Sequence, residues 1–130
     1  MKKFLLIFVM VFAHSFIAQN KATGSEEFNS FFKKFNADKS FQMSRIKFPL
    51  TVKLNNDDYE LVDYSIAKSD YIILKLNKSK EERDYTQKTI LKNNSVIIEQ
   101  RGINNGIYVD YIFEKRKGLW FLKTWIDSST

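Results

Sequence analysis

Residues 25–54 read SEEFNSFFKKFNADKSFQMSRIKFPLTVKL, and this stretch decides the fold. Phe28, Phe31, Phe32 and Phe35 recur at i, i+3, i+4 and i+7, the spacing of one buried helix face. Ser25 stands where an N-cap is expected. Glu26 and Glu27 follow in the first turn, where the positive end of the helix dipole favours acids. Lys33 and Lys34 take the outer face near the other end, and Asn36-Ala37 ends the helix. Asp38 offers a second N-cap. Phe41 and Arg45 are four residues apart, as are Gln42 and Ile46, so each pair shares a face of a second, short helix. From Ile46 the period becomes two. Ile46, Phe48, Leu50, Val52 and Leu54 point one way, while Lys47, Pro49, Thr51 and Lys53 point the other, as in a half-buried strand. Pro49 has no N–H to donate, which predicts an edge position or a bulge.

The remainder reads as sheet. Asn55 to Asp58 is a turn. Strands are expected over 59–66, 71–76, 85–91, 95–101, 107–115 and 119–127, with a charged connection over 78–84 that holds a single helical turn. Asn105-Gly106 is a hairpin signal because both residues tolerate positive φ. Arg116-Lys117-Gly118 turns the chain again. In the last strand Trp120, Leu122, Thr124 and Ile126 share one side, and Leu119, Phe121 and Trp125 the other. The order predicts an α+β fold, with two N-terminal helices packed on a strongly curved antiparallel sheet of five or six strands.

The first residues belong to no such domain. Lys2 and Lys3 precede an unbroken apolar run, Phe4 to Ala13. That run is too short to span a bilayer, which takes about 20 residues, and fits the apolar region of a secretory signal peptide. Residues 1–18 are therefore expected to be cleaved, with 19–24 a flexible lead and 25–130 one domain. Export to the periplasm or the medium follows, with no stable membrane span after cleavage. The chain has no cysteine, so neither a disulfide framework nor a lipoprotein anchor is expected. Removing Lys2 and Lys3 from the 21 basic residues leaves 19 against 15 acidic ones, a net of +4, mild enough for a solvated surface. Lys115-Arg116-Lys117 is a basic cluster at a hairpin tip, and nucleic acid is not an expected partner outside the cell.

The residue types exclude much chemistry. The one histidine, His14, lies in the leader. The exported chain would have neither histidine nor cysteine, which removes the usual Ser–His and Cys–His nucleophiles and thiolate or imidazole zinc sites. No metal or cofactor is expected. Asp110, flanked by Tyr108 and Tyr111, has the types for a carboxylate base and a hydroxyl donor. Alternation separates them, however. Asp110 and Tyr108 share one strand face, while Tyr111 lies with Val109 and Phe113 on the other.

A helix pair followed by a sheet that closes in a hairpin with Phe113, Lys115-Arg116, Gly118, Trp120 and Leu122 resembles the nuclear transport factor 2-like superfamily. The pattern Phe28, Phe32, Phe35, Asp38, Phe41-Gln42, Arg45, Phe48-Pro49-Leu50 more narrowly resembles an exported bacterial family, domain of unknown function 4348. The resemblance implies a cone between helices and sheet, which related folds use for steroid isomerisation, dehydration, ligand binding or protein contacts. It carries no catalytic residue over to this chain. Phe32, Phe41, Phe48, Tyr111, Phe113 and Trp120 would line the cone, with Gln42 and Arg45 at its mouth. For Asp38 and Arg45 the competing roles are structural, Asp38 capping the second helix and Arg45 pairing with an acid. The leading expectation is a non-catalytic module that binds a small ligand or peptide in a pocket of about 300 Å³ or more. The alternatives are a homodimer through the outer sheet face, by way of Leu119, Phe121 and Trp125, and a histidine-free acid–base enzyme with a carboxylate of raised pKa.

Overall fold

The computed structural model describes residues 25–130. The expected signal peptide and flexible lead lie outside the described residues. Helix α1 (Phe28–Ala37) and helix α2 (Lys39–Ser44) precede strands β1 (Leu50–Asn55), β2 (Leu61–Ile66), β3 (Tyr85–Leu91), β4 (Ser95–Gly102), β5 (Tyr108–Arg116) and β6 (Leu119–Asp127). The strands form one sheet in the order β2-β1-β6-β5-β4-β3.

The sheet is mixed, which corrects the all-antiparallel expectation. β1 runs parallel to β6, with Lys53 opposite Ile126 and Leu54 opposite Asp127. The chain meets β6 before β1 begins. Leu122 N donates to Arg45 O at 2.9 Å, and Ile46 bridges Leu122 in the parallel sense. Residues 47–49 then leave the ladder, so the strand starts at Leu50 rather than Ile46, and Pro49 sits outside it. Pro49 therefore marks neither an edge nor a bulge.

The phenylalanine stripe of α1 is core. Phe31 and Phe35 are fully buried, and Phe28 nearly so. Their rings meet Phe113 of β5 edge-on, at centroid distances of 5.3 to 5.7 Å. Such pairs add about 0.5–1.5 kcal/mol beyond simple burial. Val96, Ile98, Leu122 and Trp120 complete the inner layer. Asp38 caps α2 by accepting from Phe41 N at 3.0 Å. The expected cap of α1 fails. The N-cap position is Glu27, and no acid lies in the first turn, because Glu26 is drawn out of the helix to Arg45 and Trp120.

The segment 71–76 is not a strand. Side chains take up its backbone groups before another strand can. Gln42 Oε1 accepts from Leu74 N (2.7 Å), and Gln42 Nε2 donates to Leu74 O (3.0 Å). Asn36 Oδ1 accepts from Leu76 N, and Gln87 Nε2 donates to Leu76 O, both at 2.7 Å. The segment is thus tied to both helices and to β3. The connection between β4 and β5 is also longer than the Asn-Gly signal implied. Positive φ falls at Asn104 instead, and Gly102 N donates to Ile107 O at 2.8 Å. Asn105 braces this loop, its side chain accepting from Ile107 N and donating to Asp84 O.

Candidate functional site

The space between helices and sheet is filled by the residues that were expected to line it. Phe113 is wholly buried and Trp120 is 4 % exposed. Phe32 stacks on Phe28 at 5.3 Å and meets Phe113 edge-on. Gln42 is also wholly buried and spends all its polar capacity internally. Besides Leu74, it donates to Phe35 O at 2.9 Å and accepts from Tyr71 Oη at 2.6 Å. Phe48 packs edge-on against Tyr71. Arg45 pairs with Glu26 at 2.7 Å, with its guanidinium 4.5 Å from the Phe41 ring centre. Of the eight residues, Tyr111 packs on Trp125, which walls an open surface.

That surface is a groove at the other margin of the sheet, beyond the reach of the helices. β2 is an edge strand. Its partners in register place Val62, Tyr64 and Ile66 on the inner face with Leu54, Val52 and Leu50. No helix covers them, so Val62 and Tyr64 stay 41 % and 56 % exposed. The chain leaving β2 arches over this face and brings Ile72 and Leu74 opposite. Between them lies a groove of about 260 Å³, walled by Tyr64, Ile66, Ile72, Leu74 and Trp125, with polar groups from Ser65 and Asp70.

Trp125 reaches the groove because β6 carries a bulge. Ile112 pairs with Thr124 but Phe113 pairs with Leu122, leaving Lys123 as the extra residue. One extra residue exchanges the faces of everything after it. Trp125 therefore turns inward to pack on Tyr111, at a ring distance of 5.7 Å, while the Thr124 hydroxyl donates to Thr51 O. The anticipated outer patch of Leu119, Phe121 and Trp125 is broken by this shift. Leu119 remains exposed, and Phe121 lies beneath the guanidinium groups of Arg45 and Arg116.

Burial holds two tyrosine hydroxyls protonated. Burial pushes the Tyr111 hydroxyl up to about 12, helped by the negative charge of Asp127 and by Tyr85. Burial also raises Tyr71, whose hydroxyl donates to Gln42. Three carboxyl groups, Glu26, Glu82 and Glu114, are shifted, and all move down. Asp110 stands on the outer face, as alternation required. Its Oδ1 is 2.9 Å from Arg101 Nη1, an ionic contact off the hydrogen-bonding axis. The Arg101 guanidinium in turn lies 3.6 Å from the Tyr108 ring centre. Among the described residues no three His, Cys, Asp or Glu side chains come together as a metal site, and no helix is long and apolar enough to cross a membrane.

No local sequence signal joins these residues into one groove. Tyr64 and Ile66 alternate with Val62 as an inner face should, but nothing local marks β2 as the uncovered edge. Ile72 and Leu74 have strand composition in a segment that forms no strand, and the bulge turns Trp125 off the outer face that plain alternation predicts.

A protein-family model described only as "-like" matches residues 26–127. The chain belongs to the family that this model defines. Solved structures give its wider class, the nuclear transport factor 2-like, cystatin-like fold. A cystatin-like protein from Bacteroides caccae is 25% identical, with a TM-score of 0.60 over 81% of this chain and 78% of that one. A nuclear transport factor 2-like protein from Bacteroides fragilis is 21% identical, with a TM-score of 0.59 over 82% of this chain. This chain spans only 48% of that protein's length. A protein from Bacteroides uniformis is 23% identical, with a TM-score of 0.55 over 77% of this chain and 75% of that one. No curated protein matches the chain.

Proposed function

We propose that this protein is an exported, non-catalytic binding module that takes an extended apolar peptide along β2, with one large apolar side chain seated in the groove. The observation that carries this reading is an apolar groove lying directly beside an unshielded sheet edge. Five of the six residues of β2 are exposed. Exposed edges are normally blunted by charge or proline, since their free N–H and C=O groups template further pairing. Here Asp63, paired with Lys53 at 2.7 Å, is the only charge in β2. Strand addition supplies backbone hydrogen bonds, and a neighbouring pocket supplies selectivity. The volume suits one side chain better than a drug-sized ligand, whose pockets begin near about 300 Å³. Export and membership of the narrower family of domain of unknown function 4348 form part of the same reading. They are supported by the leader-like composition of residues 1–18 and by the Phe28–Leu50 pattern.

The neutral fluorophore N-phenyl-1-naphthylamine tests the groove, and capped peptides of alternating valine and tryptophan test the edge. Dye binding should fall about tenfold in Trp125→Ala, the loss of one aromatic wall. Peptides should displace the dye and slow amide exchange in β2. Unchanged dye binding in Trp125→Ala would overturn the site. Displacement without protection of β2 would reassign it to a small apolar ligand.

A further inference from the structure

At one end of the sheet, two hairpin tips meet. Strand direction places the β3–β4 turn at Lys92-Asn93-Asn94 and the β5–β6 turn at Lys117-Gly118 on the same end, and Lys115 N donates to Asn94 O at 2.9 Å. A hollow of about 650 Å³ lies between them, with Lys92, Lys115 and Lys123 in its wall. Five cations gather here: Lys92, Lys115, Arg116, Lys117 and Lys123. Glu114 is the one carboxylate among them, and it already serves Arg116 at 2.7 Å and Lys123 at 3.2 Å. Lys115 Nζ contacts the Ser25 hydroxyl rather than an acid. Glu26 is close by but is held by Arg45, and Glu27 accepts from Ser30. Among the described residues, Lys92 and Lys117 enter no ion pair.

Each tip also carries an exposed leucine. Leu91 is 70 % exposed and Leu119 42 %. An isolated exposed leucine needs no explanation. Two of them on adjoining turn tips, each next to or within two residues of a lysine that has no acidic partner, combine the two ingredients of peripheral membrane contact. Those ingredients are cations for lipid phosphates and apolar side chains for the interface. The chain also enters the domain at this end, where Glu26 N donates to Gly118 O at 2.8 Å.

We propose that this end is a docking surface for a bilayer bearing anionic phospholipid headgroups. The lysines of the two tips meet the phosphates, and Leu91 and Leu119 enter the interfacial layer. The groove at β2 lies at the lateral edge of the sheet opposite β3.

Flotation of the exported chain, residues 19–130, with vesicles tests the surface. Vesicles of phosphatidylcholine with about a third phosphatidylglycerol should capture at least about tenfold more protein than phosphatidylcholine alone, and added salt should abolish the difference. Lys92→Glu combined with Lys117→Asn should remove most of the anionic preference. Asparagine is chosen because position 117 has φ of 49°. Leu91→Ser with Leu119→Ser should weaken capture while keeping the salt dependence. Thermal midpoints identify any variant that fails to fold. Hydrogen exchange of the bound protein should show protection at 92–95 and 117–119. Equal capture on both vesicle types, or protection confined to β2 and Ile72, would overturn the proposal. Binding to soluble heparin without binding to anionic vesicles would overturn it in favour of a soluble polyanion.

Discussion

Arg45 and Glu26 form a two-pronged ion pair, with Nη1–Oε1 at 2.7 Å and Nη2–Oε2 at 3.1 Å, which fastens the end of α2 to the residues leading into α1. The same two residues also hold β6. Glu26 Oε1 accepts from Trp120 N at 2.9 Å, and Arg45 Nη1 donates to Trp120 O at 3.0 Å. Both side chains are mostly shielded, at 14 % and 20 % exposure. Burial pushes the Glu26 carboxyl up, but the Arg45 guanidinium and the Trp120 N–H outweigh it and hold the group below its ordinary 4.5. A carboxyl depressed by folding stabilises the native state above its unfolded pKa, and that contribution is lost as pH falls through the folded value. Wild type should therefore lose more stability than Glu26→Gln between about pH 5 and about pH 3. Urea denaturation at both pH values checks this, and equal losses would contradict it.

Gln42 is the hinge between the helices and the segment 71–76. Replacing it with alanine strands the half-buried Leu74 N and Leu74 O and the buried Tyr71 hydroxyl. Each unsatisfied buried group costs about 1–3 kcal/mol, so Gln42→Ala should cost about 3–5 kcal/mol, near the upper end for single substitutions. Amide exchange should rise first at residues 71–76. Uniform loosening of the whole domain, with no priority for this segment, would show that the tether is not local.

These two residues also show what sequence could and could not convey. The phenylalanine spacing of α1, the Asp38 cap and the alternation of β5 are local patterns, and each was legible. The pairing of Arg45 with an acid was foreseeable from helix position, but its partner was not, because Glu26 lies on a different element. Segment 71–76 has strand composition and fails as a strand only because Gln42, Asn36 and Gln87 reach its backbone from elsewhere. The parallel contact of β1 with β6 is set by the path through residues 45–49, which carries no periodic mark. The bulge at Lys123 adds one residue to an otherwise clean alternation, and only the β5 partner register reveals it. The groove depends on all three of these non-local facts. The phenylalanine layer of α1 on Phe113 depends on none of them.

Phe113 separates a filled cone from an open one. It is wholly buried and meets Phe28, Phe31, Phe32 and Phe35 edge-on. Phe113→Ala should cost about 3–5 kcal/mol, the loss of a large side chain plus the cavity left behind. Phe113→Leu should cost less. Under conditions where Phe113→Leu remains folded, binding of N-phenyl-1-naphthylamine should match wild type. A large loss of dye binding there would place the ligand inside the cone instead of in the groove.

The β5–β6 turn sets the register that brings Trp120 to Glu26. Lys117 has φ of 49° and Gly118 of 82°, the pair of positive values that a two-residue type I′ turn requires. Glycine adopts this geometry freely, whereas a side chain there meets the backbone, so Gly118→Ala should cost about 1–2 kcal/mol. Lys117→Asn should be neutral or stabilising by a few tenths to about 1 kcal/mol, since asparagine tolerates the left-handed region better than lysine. Thermal denaturation of the two single variants tests the assignment directly. The signs should be opposite or nearly so, and a stabilising Gly118→Ala would mean that the turn is not type I′ in solution. A variant in which the turn does change would shift the β5–β6 register and withdraw Trp120 N from Glu26, and it would then lose part of the acid sensitivity attributed to Glu26.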